Sequence, residues 1–288
     1  MMLNYYIEII KPGIIFGNMV LMTGSFLYSS RTYFHLYLFL YTVIGLSCVI
    51  ASACVFNNII DSDIDRKMTR THKRVLVKKY LKLGQVLFFG VIIGLFGLLI
   101  LGYFVNFLSM LLAIFGFIVY VFFYTYLTKR ISIYSTLIGS VSGSIPSVIG
   151  YTAVVNTIDF FSFLLFINFI FWQMSHFYSI SIFRISDYKN ANIPIFPVVK
   201  GVLLAKQHII YYIISYIISN ILLSLIGYVS YYFLFLSLFI NLIWLYLAYV
   251  NFKRSDEKKY SIQLFYFSLI VVIWCNFLMS IDYIFNFL

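Results

Sequence analysis

Residues 36–74 read LYLFLYTVIGLSCVIASACVFNNIIDSDIDRKMTRTHKR. As far as residue 60 the stretch carries no charged side chain, and as a helix it is long enough to cross a hydrocarbon core about 30 Å thick. Three carboxylates follow at once, Asp61, Asp63 and Asp65, and behind them stand Arg66, Lys67, Arg70, Lys73 and Arg74. In a chain that is only 10% charged, this concentration marks the point where a membrane-spanning helix reaches water. Asn57, Asp61 and Asp65 are spaced i, i+4 and i+8, so on a helix leaving the membrane they fall along one face as a ladder of oxygen ligands.

The same apolar pattern recurs along the chain. With 63% hydrophobic residues, a soluble fold of this length has no interior large enough to hold them, and continuous apolar runs rather than alternation exclude a porin-type barrel. The chain therefore reads as an all-α polytopic membrane protein, one bundle forming a single transmembrane domain over residues 1–288. About nine transmembrane helices are expected, near 13–29, 36–60, 85–104, 107–127, 133–154, 160–183, 208–228, 231–250 and 264–286. The amino terminus lacks the basic segment and small-residue cleavage site of a secretory signal, so the first run is expected to be a permanent span.

Of the 20 Lys and Arg residues, all but Arg31 fall before the first span or in the loops after the even-numbered ones. The positive-inside rule then puts the amino terminus and those loops in the cytoplasm, and the carboxyl terminus outside, the topology of a multi-pass protein of the bacterial inner membrane. The two long cytoplasmic loops, about 57–83 and 184–207, carry the unusual residues. Basic residues spread thinly over loops do not form a nucleic-acid surface. Cys48, Cys54 and Cys275 lie inside apolar runs without metal-binding spacing.

Clustered carboxylates with an amide oxygen suit a hard cation such as Mg²⁺, which is usually held by one or two carboxylates and the phosphates of a substrate. The adjacent Arg66, Lys67, Arg70, Lys73 and Arg74 supply phosphate donors, so the helix end reads as a diphosphate site; a solvated helix end with internal ion pairs is the plainer reading of the same residues. Asp63 points off the ligand face. In the second loop, FRISDYKNANIPIFPVVKG (residues 183–201), Asp187 is flanked by Arg184 and Lys189 and occupies the place after span 6 that the acidic cluster holds after span 2. Lys129 and Arg130 end span 4, either as topological anchors or as phosphate ligands. His176 lies within span 6, and an ionisable residue inside a span is a functional candidate. Gly139 and Gly143, among Ser140, Ser142 and Ser144, offer a small-residue face for close helix contact.

The N-x-x-x-D-x-x-x-D pattern at Asn57, Asp61 and Asp65 resembles the first aspartate-rich motif of the UbiA-type intramembrane prenyltransferases. Within that family the residues from Asn57 onward, together with KPGIIFGN (11–18), YTYLTKR (124–130), SGSIP (142–146), WQMSH (172–176) and DYKNANIP (187–194), resemble the protoheme IX farnesyltransferases. The likeness spans nearly the whole chain. Two positions depart from it: Ser175 precedes His176, and Ser147 follows Pro146, where that subgroup generally has proline.

The resemblance implies a UbiA-type architecture and a Mg²⁺-dependent transfer of the farnesyl group of farnesyl diphosphate to a vinyl group of heme B, with water added, giving heme O. It further implies that Asp61, Asp65 and Asp187 ligate the metal and that Asn57 and Lys129 assist them. Arg66, Lys67, Arg70, Arg130, Arg184, Tyr188 and Lys189 are implied as diphosphate ligands and His176 as a heme contact, with a heme-copper terminal oxidase served by the product. Two other classes fit parts of the sequence: a prenyltransferase acting on an aromatic or quinone precursor, and a cation-coupled transporter. A transporter places its ionisable groups near the bilayer midplane, whereas here nearly all charges stand at helix ends.

Overall fold

The computed structural model describes residues 2–31, 33–253 and 256–285. Arg254, counted in the basic loop after span 8, and the end of the last span at residue 286 lie outside them. The described chain is helical throughout, as a backbone in hydrocarbon requires: with no water to bond, each segment must satisfy its own N–H and C=O groups.

The helices run α1 (Met2–Ile10), α2 (Pro12–Ser29), α3 (Leu36–Ile60), α4 (Ser62–Asp65), α5 (Leu83–Ile100), α6 (Phe107–Ile118), α7 (Ser135–Val155), α8 (Phe160–Phe183), α9 (Ile185–Asn190), α10 (Phe196–Val199), α11 (Val202–Leu225), α12 (Tyr231–Val250) and α13 (Glu257–Phe285). α5 and α6 each continue in a π-helical segment, Leu101–Val105 and Val119–Thr128. Among the described residues eight helices are long and apolar enough to cross a membrane, and the pair α1–α2, bent by 46°, brings the number to nine if it forms one span. Eight to nine crossings agree with the expected number of about nine, the first expected span lying within a bent pair of helices.

Two helix starts differ from the sequence reading. α11 begins at Val202, because Lys206 is buried inside the helix with Nζ 3.2 Å from the Phe252 carbonyl and 4.6 Å from the centre of the Tyr260 ring. A lysine whose head finds a carbonyl and an aromatic face need not mark a loop. α13 likewise starts earlier, at Glu257, its polar first turn lying beyond the apolar run.

Around the bundle, α3 packs on α5, α6 on α7, α7 on α8, α8 on α11, α11 on α12 and α12 on α13; α13 returns to α2, which also crosses α7. The α2–α7 crossing is close enough that a Cβ on Gly150 would lie 2.2 Å from the Met22 carbonyl oxygen, so glycine is required there. The small-residue face of α7 behaves as expected: Gly143 packs under the Gln173 side chain of α8 and Gly139 under the Tyr124 ring.

Candidate active site

Asn57, Asp61, Asp65, Lys129 and Asp187 stand where α3, the π-helical segment after α6, and α8 end, beside the break between α1 and α2. α3 stops at Ile60, and Asp61 leaves helical geometry (φ −84°, ψ 2°). The i→i+4 bonds nevertheless continue, from Asp61 N to the Asn57 carbonyl (2.9 Å) and from Asp65 N to the Asp61 carbonyl (2.8 Å). The expected ladder therefore survives as a turn, not as one straight helix.

Asn57, Asp61 and Asp65 are 4%, 1% and 4% exposed, and a carboxylate so buried must be paired or coordinated. Asn57 donates from Nδ2 to Asp61 Oδ2 (2.9 Å) and to Thr125 Oγ1 (3.1 Å), while Lys11 Nζ donates to its Oδ1. Lys129 Nζ donates to the same Asp61 Oδ2. Burial works against the Lys129 ammonium, but the Asp61 carboxylate raises its pKa above the ordinary lysine value. Asp61 Oδ1 is left buried with no partner among the described residues. Asp65 receives Arg74 Nη1 at 2.6 Å and Thr71 Oγ1 on its backbone carbonyl at 3.0 Å.

Asp187, also 4% exposed, is brought by α9 onto the loop after α4: its Oδ1 accepts from Thr69 N (2.9 Å) and Thr69 Oγ1 (2.5 Å). Ile64 and Met68 pack with Ala191, Ile193 and Ile195, so an apolar contact joins the two loops beneath the polar one. Arg70 lies in the electrostatic reach of Arg74, Arg184, Tyr188 and Asp187, and Tyr188 in that of Lys129 and Tyr124. The loops expected to face each other do meet.

Several sequence expectations are sorted by this geometry. Among the described residues no three His, Cys, Asp or Glu side chains are arranged to hold a metal ion. Asp61, Asp65 and Asp187 are each drawn to a separate donor, namely Lys129, Arg74 and Thr69. The donor set still fits a hard cation of the Mg²⁺ kind, because a buried carboxylate oxygen without a partner stands beside cations able to bind phosphate, and Mg²⁺ takes its remaining ligands from water and phosphate oxygens. Arg130 makes a two-pronged pair with the exposed Asp63, at 2.7 and 2.8 Å, and bonds the Ile60 carbonyl. Arg66, Lys67 and Lys189 are exposed, with side chains that bond no described residue, and Arg184 lies over the Phe183 ring. His176 is not part of the cluster: it bonds Ser268 Oγ of α13 at 2.7 Å and stacks on Trp172, filling the α8–α13 interface.

Lys11, Thr69 and Thr125 belong to the site and were not singled out individually in the sequence, whereas Arg74, read there as a phosphate donor, pairs with Asp65. Lys11 had one signal: a basic residue before Pro12. It sits at the α1–α2 break in the left-handed region (φ 53°, ψ 69°), a strained conformation held where it serves the Asn57 contact.

The fold and site together define a multi-span integral membrane protein with a buried cluster of acidic and basic side chains at one end of its helices. Residues 18–270 match the UbiA prenyltransferase family. Proteins named protoheme IX farnesyltransferase from Salmonella arizonae and Citrobacter koseri are each 44% identical over 283 residues, covering 98% of this chain and 96% of theirs. Among solved structures, one of digeranylgeranylglyceryl phosphate synthase matches with a TM-score of 0.78 at 17% identity, covering 98% of both chains. A UbiA homolog from Archaeoglobus fulgidus bound to GPP and Mg²⁺ matches with a TM-score of 0.71 at 11% identity, covering 96% of this chain and 99% of that one. The chain belongs to the UbiA prenyltransferase family.

Proposed function

We propose that the protein, acting as a single domain, transfers the farnesyl group of farnesyl diphosphate to a vinyl group of heme B, giving heme O and diphosphate. The observation that carries this reading is the 44% identity, over nearly the full length, to proteins named for that reaction. The site supplies chemistry suited to it. Asp61 and Asp65 would hold Mg²⁺ together with diphosphate oxygens, Asp61 through its free Oδ1, with Asn57 fixing the carboxylate and Asp187 opposing them from α9. The metal supplies Lewis-acid neutralisation of charge growing on the leaving group.

Lys129, Arg70, Arg74 and Arg184 stabilise the departing diphosphate, with Arg130 next to them and Arg66, Lys67 and Lys189 drawing the anion in from solution. Tyr188 and Tyr124 wall the cluster on the side of Lys129. The C1–oxygen bond of farnesyl diphosphate breaks, and the terminal vinyl carbon of heme B bonds to C1. The positive charge passes to the vinyl carbon next to the macrocycle, water adds there, and its proton is released. His176 orders the α8–α13 interface, its part toward heme being indirect. The protein lies in the bacterial inner membrane, with the charged helix ends and the amino terminus cytoplasmic and the carboxyl terminus outside, and its product serves a heme-copper oxidase.

The test is expression in a strain unable to make heme O. Restored heme O in the extracted hemes is the expected result; heme B alone would defeat the proposal, and a prenylated quinone precursor would point to the other acceptor class.

A further inference from the structure

The extension of α6 from Val119 to Thr128 is π-helical for ten residues, in a register usually confined to a single turn and frequent at functional sites. Its side chains make bonds of the same span as its backbone. Thr125 Oγ1 donates to the Tyr120 carbonyl at 2.9 Å, Thr128 Oγ1 to the Phe123 carbonyl at 2.9 Å, and the Lys129 N–H to the Tyr124 carbonyl at 2.9 Å, each five residues back. In an α-helix, residues five apart point about 140° away from each other, whereas in this register they stack. Thr125 and Lys129, four apart, share a face in either register. The wider turn brings Tyr120 and Tyr124 onto that face too: their ring centres are 5.6 Å apart, and Lys129 Nζ is 5.9 Å from the centre of the Tyr124 ring. Phe122, Phe123, Tyr126 and Leu127 are left exposed on the other side.

The inner face meets α3 at Asn57. Asn57 Oδ1 accepts from Lys11 Nζ, and its Nδ2 donates to Asp61 Oδ2 (2.9 Å) and to Thr125 Oγ1 (3.1 Å). A hydroxyl has one proton, and that of Thr125 is committed to the Tyr120 carbonyl, so it faces Asn57 with lone pairs alone and can take only an N–H. The amide is thereby held one way round, nitrogen toward Thr125 and Asp61, oxygen toward Lys11. Turned over, it would set its oxygen against both the Asp61 carboxylate and the Thr125 oxygen. Thr125 is fully buried, and an amide N–H deprived of its acceptor there is left unsatisfied.

We infer that Thr125 is a positioning residue for the Asp61 carboxylate. Its hydroxyl, oriented by the Tyr120 carbonyl of the π-helical turn, fixes the Asn57 amide, and the amide and Lys129 together hold Asp61 Oδ2 so that Oδ1 stays available to a diphosphate-bound cation. The inference rests on the reading of Asp61 as a cation ligand given above. Thr125 acts through Asn57, not on the substrate.

The test is the Mg²⁺ concentration needed to raise the melting temperature of the full chain in detergent at fixed inorganic diphosphate, a measurement that requires no turnover. Thr125→Val, which keeps the shape and removes the acceptor, should need about tenfold more Mg²⁺, the scale of a buried donor left without its partner. Heme O formation at limiting Mg²⁺ should fall in proportion. Thr125→Ser, which restores the hydroxyl, should recover most of both. A wild-type Mg²⁺ requirement in Thr125→Val overturns the inference even if the ligand-free melting temperature drops, because a loss of stability alone makes Thr125 a packing contact. Thr125→Ser behaving as Thr125→Val overturns it as well. A wild type that responds to Mg²⁺ and diphosphate but forms no heme O defeats the reaction and leaves this inference standing; a wild type unmoved by them removes the cation site and the inference with it.

Discussion

Lys129 and Asn57 converge on the same oxygen, Oδ2 of Asp61, and leave Oδ1 buried with no partner among the described residues. The arrangement holds one carboxylate rigidly while exposing a single ligand atom to whatever enters the cluster. Asp61→Asn keeps the shape but removes the charge. We expect heme O formation to fall at least about a hundredfold, the scale on which a group stabilising a developing charge is lost. Insertion into the membrane, read by yield of folded protein, should persist; unchanged turnover at limiting Mg²⁺ would remove Asp61 from the mechanism.

Lys11 acts one step back, through Asn57. Lys11→Met frees the Asn57 amide to turn, so Asp61 loses its fixed orientation. Turnover should drop about tenfold, as expected when a buried hydrogen bond to a charged group is removed. Lys11→Arg should recover part of it, measured with saturating substrates.

Thr69 ties the two loops through both its N–H and its hydroxyl to Asp187. Thr69→Val removes the hydroxyl bond alone and leaves a neutral pocket of similar size. KM for farnesyl diphosphate should rise several-fold with little change in melting temperature, because the apolar contact of Ile64 with Ile193 remains. A large loss of stability instead would make Thr69 a structural strut.

The Asp63–Arg130 pair makes the opposite prediction. The Asp63 side chain is 61% exposed, and exposed pairs contribute about 0–1 kcal/mol, so Asp63→Asn should leave both stability and turnover close to wild type. Hydrogen bonding from Arg130 lowers the Asp63 pKa to about 2. A depressed carboxylate contributes its stability in full above its unfolded value, about 4, and loses it as pH falls toward 2. Whatever Asp63 contributes should therefore be constant between pH 5 and 9, so thermal unfolding of wild type and Asp63→Asn should differ by the same small amount across that range.

Much of this molecule could be read from sequence because a bilayer enforces simple rules. Residues 36–60 had to be a helix, and the confinement of basic residues to alternate loops set the number of crossings. The ladder of Asn57, Asp61 and Asp65 was legible because its period is local. Most partners of the site's side chains were not, since they lie far off in the chain: Lys11 is 46 residues from Asn57, Lys129 is 68 from Asp61, and Thr69 is 118 from Asp187. No local period announces such contacts. Lys206 misled for a different reason, a charge read as loop that instead finds a carbonyl and an aromatic ring inside a helix. His176 was legible as a polar residue within a span, but its bond to Ser268, 92 residues further on, was not.

The central claim is that the Asp61 cluster drives farnesyl transfer to heme B with a divalent cation. The direct measurement is chromatographic and mass identification of the hemes formed by purified protein given heme B, farnesyl diphosphate and Mg²⁺, alongside the same mixture with chelator. Heme O that appears with Mg²⁺, vanishes with chelator and is absent in Asp61→Asn is the predicted result; no heme O from the wild type, or equal amounts with and without chelator, would contradict it.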